Sequence, residues 1–276
     1  MRLATIRRPD GTTAAARVDG DELVLLPHPD VVALLAEPGW RDTAASAGGE
    51  RVALAGADLA PTVRPTKVIC VGLNYRSHIE EMGRELPEYP TLFIKFPETL
   101  TGPYDDLVIP SVSRFVDWEV ELGVVVGAPA YRLDEAEAAA CIAGYTVVND
   151  ISMRDWQSRT AQWDQGKNFE ASTPVGPFLV TGDEIGDGAD LEVTTKVDGQ
   201  TMQQARTCDL LFKPAAIVSY ASQFTTLQPG DLIATGTPSG VGAGRSPKVF
   251  LAAGQLLETT IEGIGTCRNL MVEDKG

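Results

Sequence analysis

The sequence predicts an α+β fold, with a mixed, β-rich sheet, peripheral helices and a small N-terminal domain. Most apolar runs after residue 64 are short and rich in β-branched residues, which is typical of strands. These runs do not alternate regularly with helical segments, so a doubly wound parallel sheet is not expected. The chain has 276 residues, 43% of them hydrophobic, which is enough for one large domain or for a large and a small one.

The first 63 residues are predicted to form the small N-terminal α+β domain. Two Asp-Gly turns, in RPDGTT and VDGDEL, separate short predicted strands. A helical stretch, DVVALLAEPGW, comes next, followed by DTAASAGGE, which we expect to be a loose segment because its residues are small. The Pro-containing segment LAPTVRPTK marks the boundary, so the larger domain is predicted to span residues 64–276.

The larger domain is predicted to consist mainly of strands. They are expected at KVICVGLNY, LFIKF, DLVIP, VELGVVV, YTVVND, PFLVT, LEVTTKVDGQ, GDLIATG and LLETTIEGIG. Helices are expected around His78, at residues 136–141, after Ser152 and at KPAAIVSYASQF.

Three carboxylates lie in or at the ends of predicted strands. Glu119 and Glu121 are two residues apart in FVDWEVELGVVVG, so they share one face of the strand, and Asp150 ends GYTVVND. Like charges so close together repel each other unless a cation or a shared proton relieves them. Carboxylate ligands without Cys or His favour Mg²⁺, Mn²⁺ or Ca²⁺ over zinc or copper. The alternative is an antiparallel strand whose polar face is simply hydrated.

Two neighbouring features favour the metal site. Residues 124–126 continue the strand as an unbroken run of valines, which is expected when both faces of the strand are covered. If a helix begins near Ser152, then Asp150, Arg154 and Gln157 lie on one of its faces, beside the carboxylates.

The chain contains two histidines, and His78 is the candidate general base. Glu81 follows at i+3, on the same face of a helical turn, where its carboxylate can fix the imidazole tautomer and raise its basicity. The alternative is a His and a Glu on a hydrated helix surface.

A formal net charge of -15 makes nucleic acids and anionic membranes improbable partners. No apolar stretch reaches the length of a membrane span, and the segment MRLATIRRPDG lacks the apolar core of a signal peptide. A cytoplasmic location is therefore expected. The glycine-rich turn in GDLIATGTPSGVGAG follows a strand and can direct backbone amides at an anionic group, but it is not a P-loop.

Taken together, these motifs resemble the fumarylacetoacetate hydrolase superfamily, in particular its short bacterial members. The resemblance covers roughly residues 66–270 and rests on GLNYRSHIEE, FIKF, LTGP, DWEVELGVVVG, VVNDISMRDWQ, GKNF, STPVGPFLV, PGDLIATGTPSGVG and IEGIG. It implies the β-rich roll of that family's C-terminal domain for residues 64–276. It also implies that Glu119, Glu121 and Asp150 bind Mg²⁺ or Mn²⁺, and that the substrate is a small anionic 2-oxo acid.

The resemblance also implies roles for other residues. His78 and Glu81 would lie on a lid segment and activate a water, and Lys167 in GKNF would be the active-site lysine. The positions expected to bind substrate or border its pocket are Arg154, Gln157, Thr237 and Lys95. Lys95 is secondary, because a lysine on a strand usually lies at a hydrated strand end.

Charge counting agrees with an anionic substrate. The three carboxylates and one divalent cation carry a net charge of minus one, which Lys167 and Arg154 convert to plus one.

The expected activity is Mg²⁺-dependent hydrolysis of a C–C bond in a 2,4-dioxo acid of the acylpyruvate or fumarylpyruvate type, giving pyruvate and a carboxylic acid. One alternative uses the same site for oxaloacetate-type decarboxylation or for isomerisation of a 2-hydroxy-dienedioate from aromatic catabolism. Another is a metal-binding protein without catalytic activity. The resemblance suggests a homodimer.

Overall fold

Strands dominate the part of the chain that the computed structural model describes, namely residues 1–81, 83 and 85–275, with the side chains of His78 and Glu81 left out. The strands are β1 Arg2–Arg7, β2 Thr13–Asp19, β3 Glu22–Leu25, β4 Arg51–Ala53, β5 Val68–Gly72, β6 Thr91–Lys95, β7 Leu100–Thr101, β8 Leu107–Ile109, β9 Val116–Asp117, β10 Val120–Val126, β11 Ile142–Asn149, β12 Ser152–Met153, β13 Thr173–Val180, β14 Glu192–Val197, β15 Gln200–Arg206, β16 Leu232–Ala234, β17 Leu256–Ile261 and β18 Gly265–Glu273.

The helices are short and lie between the strands. They are α1 Val31–Leu35, α2 Trp40–Ser46, α3 Arg76–Glu81, α4 Glu135–Ala140, α5 Arg154–Gln157, α6 Asp164–Lys167, α7 Gly182–Ile185 and α8 Pro214–Ser222. Single 3₁₀ turns occur at Pro97–Thr99, Thr207–Asp209 and Gly242–Gly244. The predicted α+β class, with a mixed β-rich sheet and few helices, is confirmed.

The largest sheet has eleven strands in the described residues, in the order β4-β3-β2-β1-β13-β11-β10-β16-β5-β6, with β7 beside β13. It is mixed, because β16 pairs with β5 and β13 pairs with β7 in parallel, while β10 is antiparallel to both β11 and β16. A second sheet has the order β15-β14-β17-β18-β8, and β9 pairs with β12. Strand β10 lies in the middle of the main sheet, and its pairing with β11 on one side and β16 on the other positions the candidate site.

The N-terminal strands extend this main sheet. Strand β1 pairs with β13 as well as with β2, so the sheet continues across residue 63. The guanidinium of Arg7 also forms a bidentate contact with Asp105, with N–O distances of 2.9 and 2.6 Å. The predicted domain boundary between residues 63 and 64 stays a prediction.

One local prediction for the N-terminal region was wrong. The segment DTAASAGGE was expected to be loose, but its first residues belong to α2, which ends at Ser46. Trp40 and Ala44 are four residues apart and both buried, so they anchor one face of this helix to the core. Alanine has the highest helix propensity, so small residues alone do not indicate a loop.

Strand β10 is covered on both faces. All seven of its residues are buried. Val120, Leu122 and Val124 belong to one apolar cluster, whereas Val125 belongs to the cluster on the other side of the sheet. The expectation of a strand covered on both faces is therefore correct, and the hydrated polar face is excluded for Glu121, which lies between Val120 and Leu122.

None of the helices in the described residues is long and apolar enough to cross a membrane. The cytoplasmic location, the homodimer and the absence of nucleic-acid or membrane partners stay predictions.

Candidate metal centre and active-site cavity

The antiparallel pair β10 and β11 brings the three predicted metal ligands together. Val120 lies opposite Asn149, which places Glu119, just before β10, beside Asp150, just after β11. The backbone amide of Asp150 donates to the carbonyl of Glu119 at 2.9 Å and holds the two ends together. One carboxylate oxygen from each of Glu119, Glu121 and Asp150 lies within 4.8 Å of the others, and all three residues are buried.

Glu121 is the carboxylate of this group that has no cationic partner among the described residues. Its Oε2 accepts a hydrogen bond from the amide of Gly236 at 2.8 Å. Burial raises the pKa of Glu121 well above its usual value, and the negative charges of Asp150 and Glu119 raise it further. The turn that supplies this amide requires glycine, because Gly236 has φ +100° and a Cβ there would lie 2.8 Å from the carbonyl oxygen of Val71. One amide of the glycine-rich turn is thus directed at a protein carboxylate.

Two buried lysines neutralise the other two carboxylates. Lys167 Nζ, at the end of α6, donates to Glu119 Oε2 at 2.7 Å and to Asp150 Oδ2 at 2.6 Å. Lys95 Nζ, at the end of β6, donates to Asp150 Oδ1 at 2.7 Å. The expectation that Lys95 lies at a hydrated strand end was wrong, since its side chain is 0% exposed. Its burial is compatible with a charge because Asp150 is its partner.

Arg154 reaches the same group of charges from α5. Its Nη1 lies 2.7 Å from Glu119 Oε1 and donates to Gln157 Oε1 at 3.0 Å, so the predicted pair of Arg154 and Gln157 does share one helical turn. A helix does follow Ser152, as predicted, but Asp150 lies outside it and does not share a helix face with Arg154 and Gln157. Ser152 belongs to β12 and α5 begins at Arg154, while Asp150 is placed by its position at the end of β11.

Asp117 is a further member of the network that the sequence analysis did not identify. It is 0% exposed. Its Oδ2 accepts from Arg154 Nε at 2.8 Å and from the amide of Ala243 at 2.9 Å, and its Oδ1 accepts from the amide of Gly242 at 2.6 Å. It therefore holds Arg154 against the glycine-rich loop. The signal was present in the sequence, because Asp117 precedes Glu119 by two residues and the same alternation applies to it.

These charges surround a cavity of about 940 Å³. The predicted site residues that line it are Glu119, Glu121, Arg154, Gln157, Lys167 and Thr237. Thr237 Oγ1 accepts a hydrogen bond from Gln203 Nε2 at 2.8 Å, which fixes the hydroxyl at the cavity wall. Asp150 and Lys95 are not among the lining residues and lie behind them in the network.

The side chains of His78 and Glu81 lie outside what the structure describes, so their predicted roles stay predictions. The chain just before them is anchored by hydrogen bonds. Asn74 Nδ2 donates to the carbonyls of Phe212 and Thr235 at 3.0 and 2.8 Å, and the amide of Ser77 donates to Asp209 at 3.1 Å.

The donor set fits a hard divalent cation. Four buried carboxylates, those of Asp117, Glu119, Glu121 and Asp150, face the three cations Lys95, Lys167 and Arg154. When all four carboxylates are ionised, one negative charge remains unbalanced. The sequence-based count omitted both Lys95 and Asp117, and their opposite charges leave its sum unchanged. Oxygen ligands without Cys or His select Mg²⁺, Mn²⁺ or Ca²⁺. The residues therefore can hold a metal ion, while its identity stays a prediction.

Comparison with known proteins agrees with this site. A model of the fumarylacetoacetate hydrolase C-terminal family matches residues 67–272, which is most of the chain and includes all the residues of the network. The chain belongs to the fumarylacetoacetate hydrolase family. The family resemblance inferred from the sequence is thus confirmed, and the members described next are all enzymes.

Three similar proteins carry different activities in their names. A mitochondrial oxaloacetate tautomerase from Rattus norvegicus is 44% identical over 215 residues, which cover 78% of this chain and 69% of the relative. A 5-carboxymethyl-2-hydroxymuconate delta-isomerase from Mycobacterium smegmatis is 35% identical, with a TM-score of 0.83 and full coverage of both chains. A fumarylacetoacetate hydrolase from Exiguobacterium antarcticum is 30% identical, with a TM-score of 0.87, covering 99% of this chain and 100% of its own.

Proposed function

We propose that this protein is a metal-dependent enzyme that acts on a 2-oxo acid through its enolate, with keto–enol tautomerisation or double-bond isomerisation as its reaction. The observation that carries the proposal is the buried group of Glu119, Glu121 and Asp150, of which the two glutamates line a cavity that Arg154 also lines. The tautomerase and isomerase named above support it, because both activities move a proton next to a carbonyl or enol group.

Glu119, Glu121 and Asp150 are the residues that would hold Mg²⁺ or Mn²⁺. When bound, such a cation supplies Lewis-acid polarisation of the substrate's oxo group. The chain's own contribution is to hold the three carboxylates close together. Lys95 and Lys167 balance the charges of Asp150 and Glu119, and the amide of Gly236 orients Glu121.

Arg154 is placed to bind the substrate's carboxylate. Three of its contacts go to Asp117, Glu119 and Gln157, but its Nη2 has no hydrogen-bond partner among the described residues. An unpaired buried donor is costly, and a carboxylate oxygen satisfies it with a charge-assisted hydrogen bond. Gln157 and Asp117 fix the plane of the guanidinium, so the direction of this donor is set before substrate arrives.

Lys167 acts through its charge. Burial alone would lower its pKa, but Asp150 and Glu119 outweigh burial and raise the pKa above its usual value. Lys167 therefore remains protonated at neutral pH and cannot serve as the base that removes a proton. It stabilises negative charge that develops on the substrate oxygen.

The base in this proposal is His78, oriented by Glu81. A neutral imidazole has a pKa near neutral pH, which suits both removal of the proton next to the oxo group and its return to oxygen or to another carbon.

Hydrolysis of a C–C bond in a 2,4-dioxo acid, with pyruvate as one product, is a second candidate. The HxxE spacing on α3 favours it, because the same dyad can deprotonate a water that attacks the distal carbonyl. The Exiguobacterium hydrolase of the same fold supports it as well. The enolate would then be the leaving group of the reaction.

The test uses chelator-stripped protein to which Mg²⁺ or Mn²⁺ is restored. Enol oxaloacetate is followed by its ultraviolet absorbance, and pyruvate release is measured from acetylpyruvate, fumarylpyruvate and oxaloacetate. Metal-dependent decay of the enol without pyruvate release supports the tautomerase, whereas metal-dependent pyruvate release from the dioxo acids supports the hydrolase. Pyruvate release from oxaloacetate alone supports a decarboxylase instead, and no metal-dependent turnover of any substrate refutes the proposal.

Two variants show whether the carboxylate group carries the activity. Glu121→Gln should abolish metal-dependent turnover, because it removes one charged ligand. Glu273→Gln is the matched control, since Glu273 lies exposed on β18. Equal activity of the two variants would show that the activity does not depend on the cluster of three carboxylates.

A further inference from the structure

Arg245 is an arginine of the active-site cavity that the proposed chemistry does not use. It lies directly after the 3₁₀ turn Gly242–Gly244 and lines the same cavity as Glu119, Glu121 and Arg154. Its place in the sequence, between a glycine-rich turn and RSPKVF, does not distinguish it from a surface arginine.

Backbone carbonyls hold the guanidinium of Arg245 in place. Its Nε donates to the carbonyl of Gly240 at 3.2 Å, and its Nη2 donates to the carbonyl of Met202 at 2.5 Å. The guanidinium carbon lies 6.0 Å from the ring centroid of Trp118, which is 0% exposed and donates from Nε1 to the same carbonyl of Gly240 at 3.2 Å. Two carbonyls and a buried ring thus fix the orientation of this side chain, so it is not a freely moving surface arginine.

No described carboxylate neutralises Arg245. Its hydrogen bonds go to carbonyl oxygens, and among the described residues it forms no ion pair. The other two cations at the cavity wall differ in this respect, because Arg154 is paired with Asp117 and Glu119, and Lys167 with Glu119 and Asp150. A fixed, unpaired guanidinium in a cavity is a site for an anionic oxygen.

The charge of the whole site indicates how many anionic groups the ligand carries. The network of four carboxylates and three cations has a net charge of minus one, and a divalent cation changes it to plus one. Arg245 raises the charge of the described side chains around the cavity to plus two. A 2-oxo monocarboxylate balances half of that charge, whereas a dianion balances all of it.

We infer that Arg245 binds the distal carboxylate of a dicarboxylic substrate and thereby determines the preference of this cavity for dicarboxylates over monocarboxylates. The inference rests on the proposed function, which places the 2-oxo acid end of the substrate beside Arg154 and the three protein carboxylates. It adds the residue that recognises the distal carboxylate, on the side of the cavity formed by residues 239–245.

A purely structural role for Arg245 leads to a different expectation. If the side chain only tied the glycine-rich loop to Met202, its replacement would weaken the binding of every ligand to the same extent. The size of the ligand is controlled by comparing acids of equal chain length that differ in the distal carboxylate.

The experiment measures binding to the Mn²⁺-loaded protein by calorimetry for two matched pairs of acids. One pair is 2-oxoglutarate and 2-oxopentanoate, and the other is oxaloacetate and 2-oxobutanoate. Each acid is tested with the wild type, Arg245→Gln, Arg245→Lys and Lys248→Gln. Lys248 is the matched control, because it is an exposed cation three residues further along that does not line the cavity.

The wild type should bind at least one dicarboxylate about 10- to 100-fold more tightly than its monocarboxylate partner, as one charge-assisted contact implies. Arg245→Gln should remove that preference and leave the binding of the monocarboxylate within about threefold. Arg245→Lys should retain part of the preference, and Lys248→Gln should retain all of it. Each variant is first shown to bind Mn²⁺ as the wild type does, which confirms an intact site.

Two results would overturn the inference. One is a wild type that prefers the dicarboxylate in neither pair, and the other is an Arg245→Gln variant that weakens both members of a pair equally. The proposed function is tested separately by turnover. A protein that prefers dicarboxylates but converts none of the substrates would retain the binding role of Arg245 and refute the enzymatic proposal.

Discussion

Replacing Lys95 with methionine tests the buried ion network most directly. Lys95 Nζ lies 2.7 Å from Asp150 Oδ1, and both side chains are 0% exposed. At this distance the attraction between the two charges is about 6 kcal/mol at an effective dielectric constant of about 20. Methionine has a similar length, so Lys95→Met removes the charge and leaves little empty space.

The net cost is smaller than the attraction, because the variant no longer buries the lysine charge. Breaking one side of a buried pair typically costs about 3–5 kcal/mol. Lys167 still contacts Asp150, so we expect the lower end, about 3 kcal/mol, in the metal-free protein. For a chain of this size the melting temperature should fall by about 6–12 °C.

The assay is thermal and urea denaturation in chelator, repeated with saturating Mg²⁺. Lys196→Met is the matched control, because Lys196 also lies on a strand but is exposed, and its loss should change stability by less than about 0.5 kcal/mol. Mg²⁺ should stabilise Lys95→Met more than the wild type, since the variant's site carries one more unbalanced negative charge. Equal stability of the two lysine variants in chelator would refute the account of the network.

Three further predictions concern other members of the site. Burial, Asp150 and Glu119 raise the pKa of Glu121 in the folded protein. The metal-free wild type should therefore lose stability as the pH rises above the pKa that Glu121 has in the unfolded chain. Urea denaturation at several pH values should show that Glu121→Gln removes this dependence of stability on pH, and an unchanged dependence would contradict the assignment. Titration with Mn²⁺ should show that the same variant binds the ion at least about 100-fold more weakly. Asp117→Asn turns a donor towards Arg154 and the amide of Ala243, so steady-state kinetics should show KM raised about tenfold, with a smaller change in kcat; a lowered kcat at constant KM would speak against a positioning role. His78→Ala should slow the metal-dependent decay of enol oxaloacetate about 100- to 10,000-fold while Mn²⁺ binding stays unchanged, and an unchanged rate of decay would show that His78 is not the base.

The strands and two of the three carboxylates of the candidate metal site, Glu119 and Glu121, could be predicted because they follow from alternation along single strands. Side chains alternate between the two faces of a strand, so Glu119 and Glu121, two residues apart, lie on the same face. The valines after them indicate that both faces are covered. Asp117 obeys the same rule and could have been identified. The run of valines favoured a strand covered on both faces, but the hydrated alternative was excluded only by the buried position of Glu121 in the structure.

The partners of these carboxylates were harder to predict, because they depend on which strands become neighbours. Lys95 lies on β6, which is the last strand in the sheet order β10-β16-β5-β6. Its burial depends on this order of strands, which cannot be derived from the residues around Lys95 in the sequence. The role of Arg245 likewise depends on carbonyls of Met202 and Gly240, the first of which is 43 residues away in the chain. Helix α2 was missed for a different reason, since the small residues were judged by size and not by helix propensity.

The ion network joins residues from β6, β10, the end of β11 and α6, which are far apart in the sequence. Its contacts need the register of the central strands, so we expect them to form late in folding, after most of the sheet has paired. Interactions that are absent from the folding transition state leave the folding rate unchanged and slow unfolding. A cation bound to these carboxylates should therefore extend the lifetime of the folded protein without changing the time the chain needs to fold.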